Sequence, residues 1–145
     1  MNKINILILM LLIAPIFTFL LFSQDNTTTN NIIYLHQEQK TTRSAQEHLN
    51  SFSGTGDVII DFYADWCPPC NRMSPIIDAI ATIMPNITFI KINRDYFSDL
   101  AKTFNVTSIP TLIFLRNGKE IGRYNGGPLT RDKLAKIIAQ IYRNQ

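Results

Sequence analysis

The hydrophobic pattern divides the chain before any motif is considered. From Ile4 to Phe22 there is no charged residue, and only Asn5, Pro15 and Thr18 interrupt an apolar run of 19 residues. A helix of that length reaches roughly 28 Å, close to the thickness of a hydrocarbon core. Gln24 to Asn31 is wholly polar and reads as a short tether. Beyond it the pattern switches between two periods. Ile32–Leu35 is a short β-prone run, and Ser44 to Phe52 has helical spacing, with Ser44 as cap and Glu47 three residues on. Val58 to Ala64 is continuously apolar apart from Asp61, the mark of a strand covered on both faces. Met73, Ile76, Ile77, Ile80, Ile83 and Met84 predict a helix, with Pro75 set to kink it. Ile87 to Asn93 predicts a strand, Ser98 to Phe104 a short helix, and Thr111 to Leu115 another strand. Asn117-Gly118 predicts a hairpin into Glu120–Tyr124, and Thr130 to Tyr142 closes the chain as an amphipathic helix.

The predicted order, β-α-β-α-β-α-β-β-α, combines parallel crossovers with a terminal antiparallel hairpin. The expected fold class is therefore α/β, a mixed central sheet flanked by helices on both faces. Domain organisation follows the same pattern: residues 1–23 an anchor or signal peptide, 24–31 a tether, and 32–145 one domain. Lys3 and the amino terminus precede the apolar run, and the first charge after it is Asp25. That asymmetry favours an amino terminus left inside and a domain delivered outside the cytoplasm. Only Ser23 offers a small residue for cleavage, which favours a retained anchor over a removed signal.

Composition narrows the functional classes. The 14 Lys plus Arg against 11 Asp plus Glu give a net charge of +3, without a run of like charges. Nucleic-acid binding, which draws on clustered basic residues, is not expected. Two cysteines, Cys67 and Cys70, are too few for a disulfide scaffold and leave a redox or metal pair. Zinc requires two further ligands, and His36 and His48 stand at no ligand spacing, so no metal is expected. An inert structural disulfide remains as the bland alternative.

Trp66-Cys67-Pro68-Pro69-Cys70 falls where a buried strand ends and a helix begins. Free N–H groups and the positive end of the helix dipole stabilise a thiolate there, favouring Cys67 as nucleophile. Pro68 and Pro69 suit the first turn but withdraw two donors, leaving mainly the N–H of Cys70. Asp61, in an apolar strand, is a candidate base with a raised pKa, or else a carboxylate solvated at a strand edge.

These residues resemble the thioredoxin superfamily, over roughly Ile32 to Tyr142. Trp66 to Cys70 is similar to its redox motif, Asp61 to its buried carboxylate, Lys91 to the lysine partnering that carboxylate, and Pro75 to its helix proline. Ser108-Ile109-Pro110-Thr111 resembles the loop carrying its cis-proline, and Gly126 the glycine beside its active site. Pro68 replaces the family's usual glycine, and Tyr63 a frequent second tryptophan. The long insertion of periplasmic oxidants is missing between Asn93 and Pro110. The resemblance implies a thioredoxin fold and a thiol–disulfide oxidoreductase needing no cofactor. Cys67 attacks, Cys70 resolves, Asp61 accepts the proton and Lys91 tunes Asp61, while Trp66, Ile109, Pro110 and Gly126 bind substrate. It further implies protein thiol or disulfide substrates, a monomer, and reduction or isomerisation as the direction. An extracytoplasmic location would add a membrane redox partner. The alternatives are a thiol oxidase and a redox-independent folding helper using the same groove.

Overall fold

The computed structural model describes residues 31–35, 47, 54 and 56–144. The apolar run at 4–22, most of the tether and nearly all of the helix expected at 44–52 lie outside them, although Glu47 itself is helical. Among the described residues no helix is long and apolar enough to cross a membrane.

Five strands, β1 (Ile32–Leu35), β2 (Asp57–Tyr63), β3 (Ile87–Asn93), β4 (Thr111–Arg116) and β5 (Lys119–Asn125), form one sheet in the order β1-β3-β2-β4-β5. β1, β3 and β2 run parallel, whereas β4 is antiparallel to β2 and β5 to β4. The mixed sheet expected from the pattern is therefore present, with β2 at its centre. The hairpin turns at Asn117 and Gly118, both at positive φ (51° and 76°), as a two-residue primed turn requires. Asn117 also exchanges two hydrogen bonds with Gly56 at the start of β2, at 2.9 and 3.0 Å.

Alternation along the central strands builds two cores. Val58, Ile60 and Phe62 of β2 join Ile90, Ile92, Ile113 and Leu115 on one face, covered by Leu100 and Ala101 of α2 (Ser98–Thr103). Ile59, Phe89, Leu112 and Phe114 occupy the other face. Met73, Ile77 and Ile80 of α1 (Pro68–Ile83) and Leu134 and Ile138 of α3 (Arg131–Arg143) cover them. Helices thus flank both faces. Tyr142 fastens α3 to the sheet by donating its hydroxyl toward Val58 O (2.8 Å) and Leu115 O (3.3 Å).

Ile83 is 61% exposed, although it shares the apolar period. Met73, Ile77 and Ile80 define the centre of the buried stripe, and at 100° per residue Ile83 falls about 80° off Met73. It therefore lies at the margin of that stripe, at the last residue of the helix. Asn31, at the end of the polar tether, is already part of the fold: its Nδ2 donates to Met84 O (3.0 Å) and Ile87 O (2.7 Å).

Candidate active site

β2 ends at Tyr63, and the chain turns through Ala64-Asp65-Trp66 with Cys67 N donating to Ala64 O at 3.1 Å. Cys67 is the N-cap of α1, and its Sγ accepts the Cys70 N–H at 3.2 Å. Pro68 and Pro69 occupy the first two helical positions and carry no N–H. Cys70 therefore supplies the first N–H of the helix, the donor on which the sequence argument relied. Cys67 and Cys70 form a disulfide with their Cα atoms 5.3 Å apart. Both are almost covered, at 2% and 4% exposure, and they pack with Ala64, Tyr63 and Ile109.

Trp66 projects into solvent beside the pair, 67% exposed, yet its indole is tethered. Its Nε1 donates to Asp95 Oδ2 at 2.7 Å. Asn93, buried at the end of β3, links the two flanking loops: its Oδ1 accepts the Asp95 N–H (3.0 Å) and its Nδ2 donates to Asp65 Oδ2 (3.2 Å). Sequence reasoning singled out neither Asp65, Asn93 nor Asp95. The available signal was a polar Asn-Arg-Asp directly after an apolar strand, at the end of the sheet where the cysteines lie.

The Ile109–Pro110 peptide bond is cis. The loop before it is held by Thr111, whose hydroxyl lies 2.7 Å from Ser108 O and 2.9 Å from Asn125 Oδ1. Gly126 N donates to Pro110 O at 3.3 Å, tying the exit of β5 to the same loop. Gly126 adopts φ of +156°, and a Cβ there would stand 3.1 Å from Tyr124 Oη, so a side chain is disfavoured twice over.

Asp61 lies in the central strand, buried, not solvated at a strand edge. By alternation it shares the α1-covered face with Ile59 and Tyr63. Among the described residues its Oδ1 has no hydrogen-bond partner. Burial in this apolar layer pushes its pKa from 3.8 to about 7; Lys91 opposes the rise and Asp78 adds to it. Lys91 is the direct register neighbour of Asp61 across β2 and β3. Its ammonium nevertheless bonds to Asp78 Oδ1 (2.9 Å) and Ser74 Oγ on α1, so its influence on Asp61 is that of a nearby charge. Among the described residues no group of three or more His, Cys, Asp or Glu side chains could hold a metal.

A helix-capping disulfide, a cis-proline loop and a buried carboxylate thus converge on one end of a mixed sheet. The sequence profile of the thioredoxin family matches residues 37–140. The chain belongs to the thioredoxin family. It is 43% identical over 82 residues to a thioredoxin of Chlamydia pneumoniae, an overlap of 57% of this chain and 80% of that one. With a thioredoxin of Chlamydia trachomatis the identity is 38% over 96 residues, 66% of this chain and 93% of the relative. Among solved structures, a thioredoxin from Nicotiana alata superposes with a TM-score of 0.64 at 34% identity, covering 77% of this chain and 92% of that one. Mitochondrial thioredoxin 3 of Saccharomyces cerevisiae, in its oxidised form, gives 0.61 at 30% identity, covering 75% and 94%. As a member of this family the protein is a thiol–disulfide oxidoreductase acting on protein thiols and disulfides, with Cys67 and Cys70 as its redox pair.

Proposed function

We propose that this protein reduces or isomerises protein disulfides in an extracytoplasmic compartment, as a monomer held at the membrane by residues 1–23. The observation that carries the reductive reading is the buried carboxylate of Asp61, with a pKa of about 7, on the face covered by the redox helix. In the reduced enzyme the Cys67 thiolate, favoured by the Cys70 N–H and the start of α1, attacks one sulfur of a substrate disulfide. A mixed disulfide forms and the first substrate thiolate leaves. Asp61 accepts the Cys70 proton, directly or through water. The Cys70 thiolate then displaces the second substrate thiolate, closing Cys67–Cys70. The substrate gains two electrons and the enzyme loses two. Trp66, Ile109, Pro110 and Gly126 line the approach, where the Ile109 backbone pairs with an extended substrate segment.

Turnover in an oxidising compartment needs those electrons returned, and a membrane dithiol partner is the class of donor that suits a tethered domain. The location rests on the charge asymmetry around the apolar run at 4–22. Reporter fusions and protease shaving test it, and a domain protected inside the cell would overturn it. The direction is tested by equilibrating the full chain with glutathione while following fluorescence of Trp66, the only tryptophan. A potential near the roughly −270 mV of thioredoxin supports reduction, and one near the roughly −120 mV of a strong oxidant would make the protein a thiol oxidase.

A further inference from the structure

Lys91 is a buried lysine, 2% exposed, whose ammonium is enclosed on several sides. From α1 come Asp78 Oδ1, at 2.9 Å, and Ser74 Oγ, four residues apart and so on one side of the helix. From β1 comes the Tyr34 ring, its centroid 5.2 Å away, with the Tyr34 hydroxyl donating to the same Asp78 oxygen at 3.4 Å. From β2 comes Asp61, the register neighbour of Lys91, which receives no ion pair from it. Among the described residues the charged and titratable groups interacting with Asp61 are Lys91 on β3, Asp78 on α1 and Tyr63 on its own strand. Its β4 neighbour, Leu112, carries no charge.

We propose that Ser74 and Asp78 are positioning residues that draw the Lys91 ammonium onto α1 and so deny the Asp61 carboxylate an ion pair. Asp61, its register neighbour on the adjacent strand and already within its electrostatic reach, is a carboxylate that a released ammonium would meet. A carboxylate paired with a cation holds its proton less well and is a weaker base. The redox helix thereby sets the proton affinity of the group that serves its own resolving cysteine. This consequence rests on the reading of Asp61 as proton acceptor.

The test is the titration of the Asp61 carboxyl carbon by NMR in the oxidised full chain, together with the pH profile of mixed-disulfide resolution. Asp78→Asn is expected to lower the Asp61 midpoint by about one unit or more, and Asp78→Glu to restore it. Removing the Asp78 charge has a direct effect as well, so the same change is made beside Lys91→Met. Positioning requires a clearly smaller shift in that background. Equal shifts in both backgrounds, or an unmoved midpoint in Asp78→Asn, overturn the proposal. If Asp78→Asn does not fold, Ser74→Ala, which removes no charge, must lower the midpoint by itself, and an unmoved value there overturns it equally. A midpoint that falls while the resolution profile stays fixed upholds the positioning and refutes Asp61 as the proton acceptor.

Discussion

Asp61→Asn is the perturbation from which most can be calculated. The carboxyl of Asp61 is pushed up to about 7 in the folded chain against an ordinary 3.8, chiefly because it is buried. Between about pH 4 and about pH 7 the folded protein therefore keeps a proton that the unfolded chain has released. Stability falls as pH rises through that window and levels off above it. At about 1.4 kcal/mol per unit, the rise corresponds to about 4 kcal/mol of destabilisation at pH 8. Asparagine has nearly the same shape and never ionises, so the variant escapes this cost. Its stability relative to the parent is expected to climb by about 4 kcal/mol between pH 4 and pH 8.

The assay is urea unfolding of both oxidised proteins across that range, read as a difference so that titrating groups not coupled to Asp61 cancel. The slopes with denaturant should match, since the exposed surface is unchanged. The amide adds a donor in place of the carboxylic proton, which shifts the whole difference curve without altering its pH dependence. A flat difference between pH 4 and pH 8 would refute the reasoning, because it would mean that Asp61 titrates alike in the folded and unfolded chains. The same variant should resolve mixed disulfides more slowly near neutrality.

Replacing Cys70 by Ser should leave attack intact and trap the covalent complex with substrate, visible by non-reducing electrophoresis. Replacing Cys67 by Ser should abolish both complex and turnover. Tyr142→Phe removes the hydroxyl that reaches two strand carbonyls and should cost about 1 kcal/mol in denaturant unfolding with turnover unchanged. Gly126→Ala forces a side chain into positive φ against Tyr124 and should cost about 1 to 3 kcal/mol, measured in the same way.

The apolar periods carried the architecture because each element is decided locally. Ile87–Asn93 reads as a strand, and Asn117-Gly118 as a turn, from neighbours alone. Cys67 and Cys70 were equally legible, since two residues of spacing at a strand–helix junction leave few chemistries. The choices of polar partner were not legible. Lys91 faces both Asp61 and α1, and the winner depends on where Ser74 and Asp78 fall when the helix packs, which strand and helix periods do not specify. The tether between Trp66 and Asp95 likewise joins loops that meet only once β2 and β3 are in register.

The mixed topology itself explains why these loops meet. β2 and β3 are parallel, and their last residues, Tyr63 and Asn93, are register partners, so the cysteine turn and the Asp95 loop leave the same end of the sheet. Had β4 also been parallel, the loop preceding it would lie at the opposite end. Because β4 is antiparallel to β2, its first residue, Thr111, pairs with Phe62, and the Ile109–Pro110 loop arrives beside the cysteines. The second reversal brings Asn125 opposite Thr111, and Gly126 with it. Four loops thus converge around Cys67, and the one break in pairing register, between Phe114 and Leu115 where β4 meets β5, lies away from this end of the sheet. Asp61 lies two residues inside that end, about 7 Å along the strand. That depth buries its carboxyl on the face covered by α1, the helix that begins at the redox pair.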